Sequence, residues 1–328
     1  MKRPAVLVAR AVFPEALAQL AEHFEVEPNP DDTEWGFDDL SARLAGKTGL
    51  LCTAGEPITA ALFDAHPQLR AVCLMTVGYN NVDVASATAH GVLVTNAPGV
   101  LTETTADLGF ALMMAAARRM SEAERFLRSG QWTKWRYDMM VGSDVHGATL
   151  GILGMGRIGQ AIARRGALGF GMKVIYHNRS RLAPADEAPL GARYVDKATL
   201  LRESDHLVLV LPYSPASRHA IGAAELALMK PTATLTNVAR GGIVDDAALT
   251  VALRERRIAA AGLDVFENEP QVHPALLELP NVVLLPHIGS ATEATRRRMV
   301  GCAVDNLIAA LTGGVPPTPV NPEVLARA

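Results

Sequence analysis

No stretch of this 328-residue chain is apolar for long enough to cross a bilayer, although hydrophobic residues make up 49% of it. The opening Met1-Lys2-Arg3-Pro4-Ala5-Val6-Leu7-Val8 lacks the longer apolar run and small-residue cleavage site of a signal peptide, and reads as the start of a strand. Cysteine is scarce. Cys52, Cys73 and Cys302 sit among apolar neighbours with no metal-ligand spacing, which points to buried reduced thiols, a cytoplasmic setting and no metal site. Nothing supports a catalytic cysteine. An excess of charge is also missing: 31 Lys and Arg stand against 34 Asp and Glu, which argues against a nucleic-acid partner held by charge. There are no internal repeats and no low-complexity segments. The length exceeds one typical core, so two domains are expected.

Three phrases in the second half carry chemistry: Asn-Val-Ala-Arg-Gly-Gly-Ile-Val-Asp around Arg240, Gly-Leu-Asp-Val-Phe-Glu-Asn-Glu-Pro around Glu269, and Pro-His-Ile-Gly-Ser around His287. Each follows an apolar run, residues 234–238, 259–265 and 282–285, that reads as a buried parallel strand. Ligands of open α/β sheets bind beyond the carboxyl ends of the strands, so an Arg, a Glu and a His are expected at one sheet edge. Arg forks a carboxylate. His moves a proton near neutral pH, and a neighbouring Glu favours its charged form. Singly, Arg240 reads as a helix-start arginine, Glu269 as a loop acid and His287 as a satisfied core histidine. Together they suit reduction of a 2-keto acid, given a hydride source.

Residues 148–159, Ala-Thr-Leu-Gly-Ile-Leu-Gly-Met-Gly-Arg-Ile-Gly, supply the place for one. A short apolar strand runs into Gly154, Gly156 and Gly159, a helical stretch follows from Arg157 to Leu168, and a second strand spans 173–177. This is the setting that a dinucleotide fingerprint requires. The glycines allow a tight turn and close approach to a pyrophosphate, which the helix N-terminus attracts. Where an NAD enzyme commonly places an acid for the ribose 2′-OH, this chain has Asn178, Arg179, Ser180 and Arg181. Two arginines, a hydroxyl and an amide welcome a 2′-phosphate, so NADP(H) is the expected cofactor, with NAD(H) as the second choice.

The first hundred residues show short β–α units without a phosphate loop, a smaller doubly wound domain. A break at Ala97-Pro98-Gly99 precedes a helical stretch, 102–120, apolar around much of its circumference and therefore buried. The segment 131–147 holds Trp132, Trp135, Tyr137, Met139 and Met140 in irregular order. Such a loop should not face water, and an arm onto a second subunit, or a flap over the chain's own site, explains it. The strand 207–211 ends in Leu211-Pro212-Tyr213-Ser214, a turn placed to pass beneath the cofactor. A last helix, 293–311, is expected to cross back onto the first domain, with the substrate in a cleft closed by a two-strand hinge.

The chain resembles the D-isomer-specific 2-hydroxyacid dehydrogenase family over nearly its whole length. The matching stretches are 77–83 (Val-Gly-Tyr-Asn-Asn-Val-Asp), 150–159, 238–246, 262–270 and 287–292. Within the family it is most similar to bacterial glyoxylate/hydroxypyruvate reductases, which also reduce 2-ketogluconate. The resemblance implies an α/β architecture of two doubly wound parallel-sheet domains. A Rossmann cofactor domain, 100–288, is inserted in a flavodoxin-like substrate domain, 1–99 with 289–328. It also implies a homodimer through the cofactor domain, a small 2-keto or 2-hydroxy acid as partner, and no membrane. Arg240, Glu269 and His287 fall on the family's catalytic residues. Arg240 would pair with carboxylate and keto oxygen, His287 would protonate the alkoxide, and Glu269 would hold the imidazole. Val77 and Gly78 match a carboxylate-binding loop, and Asp264 a residue near the nicotinamide carboxamide. The cofactor set is completed by Thr105, Arg157, Ile158, Leu211, Pro212, Val238 and Gly289. Ser290 touches cofactor or substrate, and Trp135 reaches a partner's site.

Asp246 replaces the Glu of many members, and no regulatory C-terminal extension is present, which disfavours long-form phosphoglycerate dehydrogenase but not its short relatives. Two other readings stay open: a dinucleotide-sensing corepressor with little turnover, and formate dehydrogenase, against which the arginine-rich turn speaks.

Overall fold

The computed structural model describes residues 3–326. The chain forms two compact units, Met1–Leu101 with Thr292–Ala328, and Thr102–Ala291. Each is built on one parallel sheet flanked by helices, an α/β class of fold.

The first unit holds β1 (Ala5–Val8), β2 (Glu25–Glu27), β3 (Gly49–Cys52), β4 (Ala71–Leu74) and β5 (Leu93–Thr95). They pair in parallel in the order β2-β1-β3-β4-β5. That is the flavodoxin-like doubly wound order. β3 and β4 are fully buried because helices cover both faces, which is why they read as continuous apolar runs. The helix Glu293–Thr312 returns to this unit, setting Val300, Ala303, Val304 and Leu307 against Val6, Val8, Leu51 and Cys73. The tail is stitched on by Asn321, which accepts from Val94 N at 2.8 Å and donates to Val92 O at 3.0 Å.

The second unit holds β6 (Thr149–Leu153), β7 (Lys173–His177), β8 (Arg193–Tyr194), β9 (His206–Leu209), β10 (Thr234–Asn237), β11 (Ala260–Leu263) and β12 (Val282–Leu284). Their order is β12-β11-β10-β9-β6-β7-β8. Numbered from β6 this is the Rossmann order 3-2-1-4-5-6 with a seventh strand added, and the winding reverses between β6 and β9. Side chains alternate across the sheet. Leu150, Ile152, Val174, Tyr176 and Val208 meet Ala106, Phe110 and Met113 of the helix Thr102–Ala117 on one face. Leu153, Ile175, Leu207, Leu209, Leu235 and Leu263 meet Leu200, Leu249 and Leu253 on the other.

Three local features differ from the sequence reading. The helix expected to run to residue 120 stops at Ala117, and Arg119 takes a left-handed conformation (φ 54°) before a separate helix, Met120–Arg128. Ser143 N caps the break by donating to Ala117 O at 2.9 Å. The helix from Arg157 is α-helical only to Arg164 and continues as a π turn over Arg165–Gly169. β2 (Glu-Val-Glu) and β8 (Arg-Tyr) are short and polar, so no apolar run in the sequence marks them. Among the described residues no helix is long and apolar enough to cross a membrane.

Candidate active site

The glycine turn after β6 depends on local geometry that only glycine supplies. Gly154 has φ 103°, and a Cβ there would lie 2.6 Å from Leu211 N, so the loop is pressed against the turn after β9. Asn178, at the end of β7, accepts from Met155 N through Oδ1 at 2.6 Å, and Gly156 N bonds back to Gly154 O at 2.9 Å. The first bond into the helix runs from Gln160 N to Gly156 O at 2.9 Å. The N–H groups of Arg157 and Ile158 precede it and face the helix start, where an anion is stabilised. These donors, on a backbone without side chains in the way, fit a dinucleotide pyrophosphate.

Beyond β7, Arg179, Ser180 and Arg181 are exposed. Arg181 is not idle: its Nε and Nη2 fork Glu187 at 2.9 and 2.7 Å. The same carboxylate accepts from Tyr176 Oη at 2.6 Å, and that hydroxyl accepts from Leu182 N at 2.8 Å. Arg181 and Tyr176 hold the Glu187 carboxyl at about 2, well below its usual range. Glu187 was invisible in the sequence, since one Glu in a short surface helix carries no pattern.

The three charged residues sit behind β10, β11 and β12. Arg240 follows β10 in a turn fixed by Asn237, whose side chain donates to Arg240 O (3.1 Å) and accepts from Ala239 N (3.1 Å). Its Nη1 donates to Ala239 O at 2.8 Å. Burial pushes the guanidinium below its usual pKa, and Glu269 opposes that. It stays charged all the same, since arginine does not lose its proton in proteins.

Glu269 accepts from Phe266 N at 2.8 Å through Oε1 and from His287 Nδ1 at 2.7 Å through Oε2. Burial raises its pKa, but the imidazole hydrogen bond and charge, the Phe266 amide and Arg240 outweigh it, so the carboxyl is held below its usual range. Glu269 is therefore ionised at neutral pH. His287 has φ 53°, a conformation rarely tolerated by a side-chain-bearing residue. Its side chain is 45% exposed, so it is reachable.

Asp264, at the end of β11, is buried, and burial is the main force raising its pKa. Thr105 and Gly289 pack beside it. Val238 is buried, and Ser290 is half-buried just past Gly289. Pro212 O accepts from Ser217 Oγ at 3.0 Å. Trp135 is 69% exposed and meets Tyr137 edge to face, ring centroids 6.1 Å apart. Val77 and Gly78 belong to the first unit, in the loop after β4. Their carbonyls accept from Asn96 Nδ2 (2.8 Å) and Thr76 Oγ1 (2.9 Å), while their N–H groups meet no acceptor among the described residues. The described residues contain no His, Cys, Asp and Glu grouping able to hold a metal ion.

Comparison with known proteins adds an independent line. Residues 110–289 match the family described as D-isomer specific 2-hydroxyacid dehydrogenase, NAD binding domain. The glyoxylate reductase of Thermococcus onnurineus is 49% identical over 327 residues, covering 98% of this chain and 97% of the relative. That of Aeropyrum pernix is 49% identical over 331 residues, covering 99% and 98%. The crystal structure of an NADPH-dependent glyoxylate/hydroxypyruvate reductase from Sinorhizobium meliloti, in complex with NADP and malonate, superposes with a TM-score of 0.86 at 38% identity and covers 97% of each chain.

Proposed function

The chain belongs to the D-isomer specific 2-hydroxyacid dehydrogenase family, and from that premise we propose that it is an NADPH-preferring reductase of glyoxylate, hydroxypyruvate and, within reach of the same chemistry, 2-ketogluconate. Family membership makes it an oxidoreductase of 2-hydroxy acids that binds a nicotinamide dinucleotide. The observation that carries the finer reading is the 2.7 Å contact of His287 with Glu269 beside Arg240, on the sheet that also bears the glycine turn.

The nicotinamide, when bound, supplies hydride to the keto carbon. Arg240 offers a guanidinium to the substrate carboxylate and keto oxygen, a pairing that planar geometry favours. His287 has its Nδ1 committed to Glu269, which leaves Nε2 to deliver a proton to the keto oxygen and to recover one in the reverse direction. The ionised Glu269 fixes the ring's orientation and offsets the positive charge it carries before transfer. Asp264 holds the turn that presents the ring. In the first unit, Val77 and Gly78 are proposed as carboxylate donors because their N–H groups are otherwise unused among the described residues.

Preference for NADPH rests on Arg179, Ser180 and Arg181, and on Asn178 where an acid would repel a 2′-phosphate. A homodimer through the second unit is supported by exposed Trp132, Trp135, Tyr137 and Val141 on one irregular segment, a large apolar surface for a lone chain. Sedimentation at micromolar concentration tests it: a species of single-chain mass would refute it. The free thiols of Cys52, Cys73 and Cys302 suit the cytoplasm, a placement that cell fractionation checks.

The deciding experiment is a substrate panel with both nicotinamides: glyoxylate, hydroxypyruvate, 2-ketogluconate and phosphohydroxypyruvate for reduction, formate for oxidation. Turnover of glyoxylate or hydroxypyruvate with NADPH is expected. Turnover of formate alone would replace the proposal with a formate dehydrogenase, and tight dinucleotide binding without turnover would replace it with a sensing scaffold.

A further inference from the structure

Beside the catalytic trio lies a second cluster of charged groups that the reaction does not consume: Arg218, His219, Asp245, Asp246 and Glu267. We propose that Glu267 and His219 are positioning residues, a strut that sets the spacing between Arg240 and Glu269. The proposal rests on the trio reading above.

The two loops that carry Arg240 and Glu269 touch directly. Arg240 leads into Gly241, where a Cβ would lie 1.5 Å from Phe266 O, so the backbones after β10 and β11 are in van der Waals contact. Such contact sets distance but not direction; hydrogen bonds set direction. Part of that bonding comes from a third segment. His219 N donates to Gly242 O at 2.7 Å, Ile221 N to Ile243 O at 3.1 Å, and Asp245 N to Ile221 O at 2.9 Å, so residues 219–221 are zipped to the chain just past Arg240.

The side chain of His219 then crosses to the other loop. Its Nε2 donates to Glu267 Oε1 at 2.9 Å, and Arg218 Nη2 donates to the same oxygen at 3.0 Å. On its other side, Nδ1 lies 3.8 Å from Asp245 Oδ2. Glu267 is fixed from behind as well, its N–H donating to the buried Asp246 at 3.1 Å. Two residues further on, Glu269 holds His287.

The strut is half-buried: side-chain exposures are 29% for His219 and 24% for Glu267. Its hydrogen bonds are charge-assisted, and partial burial shields them from full competition with water. Neither residue is placed in contact with substrate. Both act through the backbone of Arg240 and Glu269, and misplacing such groups by about 1 Å costs about a hundredfold in rate. A substitution here should therefore disturb binding of a carboxylate at Arg240 and proton transfer at His287 together, while leaving the glycine turn untouched.

The test uses the full chain with His219→Ala, His219→Gln, Glu267→Gln and the Ala/Gln double variant. It measures kcat and KM for glyoxylate, NADPH affinity, Tm, and the Kd of oxamate on the NADPH complex. Oxamate reads the placement of Arg240 without any chemistry. Expected are a loss of about tenfold to a hundredfold in kcat/KM for His219→Ala and Glu267→Gln, and oxamate binding weaker by about tenfold, at unchanged NADPH affinity. His219→Gln, which keeps an N–H toward Glu267, recovers most of the loss, and the double variant is no worse than the poorer single one.

Folded variants with oxamate affinity and kcat/KM within about twofold of the parent overturn the strut. So does NADPH affinity falling in step, or a glutamine that fails to rescue. If His219→Ala does not fold, Glu267→Gln and His219→Gln decide alone. Arg240→Ala is the control for the underlying reading: if it leaves oxamate binding intact, the trio assignment fails, whatever the strut variants do.

Discussion

Asp264 grips the turn that carries His287: its two carboxylate oxygens accept from the backbone N–H groups of Ile288 at 2.7 Å and Gly289 at 2.8 Å. The family resemblance placed Asp264 near the nicotinamide. The geometry gives it an additional task, holding the residues just after a histidine whose φ is 53°. Each N–H meets its own oxygen, an arrangement that a carboxylate supplies.

Asp264→Asn leaves one of the two N–H groups facing an amide nitrogen. A buried donor without its acceptor costs about 1–3 kcal/mol. The expected outcome is a drop in thermal stability together with a fall in kcat larger than any change in NADPH affinity. Calorimetry and steady-state kinetics check it. A variant with parental kcat would show that the His287 turn holds its shape without Asp264.

His287→Ala should lower kcat by about a hundredfold to ten-thousandfold, the usual range for a positioned acid–base group, with NADPH still bound. Arg240→Ala should raise KM for glyoxylate and lower kcat together. Arg240→Lys should restore little, because a point charge does not reproduce the planar fork. Full activity in either alanine variant would remove that residue from the chemistry.

Cofactor choice separates two arginines that look equivalent in the sequence. Arg179 is exposed and forms no salt bridge among the described residues, whereas Arg181 is forked to Glu187. Removing Arg179 should cut the NADPH/NADH ratio of kcat/KM by more than removing Arg181 does. If replacing both leaves that ratio unchanged, the 2′-phosphate reading is wrong.

Glu187 also predicts a pH effect. Its folded pKa, about 2, is depressed below the ordinary 4.5. The folded state therefore binds this proton less readily than the unfolded chain. The stabilisation is complete above about pH 4.5 and disappears as pH falls toward 2. Glu187→Gln should be less stable than the parent near neutral pH, with the gap closing across that window. Denaturant unfolding at a series of pH values measures it, and a gap that does not narrow with acid would contradict the assignment.

Much of the architecture is legible in the chain because parallel strands buried on both faces must be apolar. Runs such as Leu50–Cys52, Val72–Leu74 and Leu207–Leu209 announce themselves. The short polar strands β2 and β8, the break at Arg119 and the π turn after Arg164 are not, because each is settled by partners distant in sequence. Gly142 and Ser143, packed on Ala117, are the example at Arg119.

Local patterns along the chain settle the class of fold and the residue types available for chemistry: a glycine turn between strand and helix, and an Arg, a Glu and a His each placed after an apolar run. Local spacing is enough for that, since period and turn residues act over a few positions. Which atoms meet was decided by tertiary structure. The 2.7 Å contact joins residues 269 and 287, Asp264 reaches 25 positions along the chain to Gly289, and His219 reaches 48 positions to Glu267. Contacts of that range follow from the order in which parallel strands assemble, and no local pattern encodes a strand's neighbour.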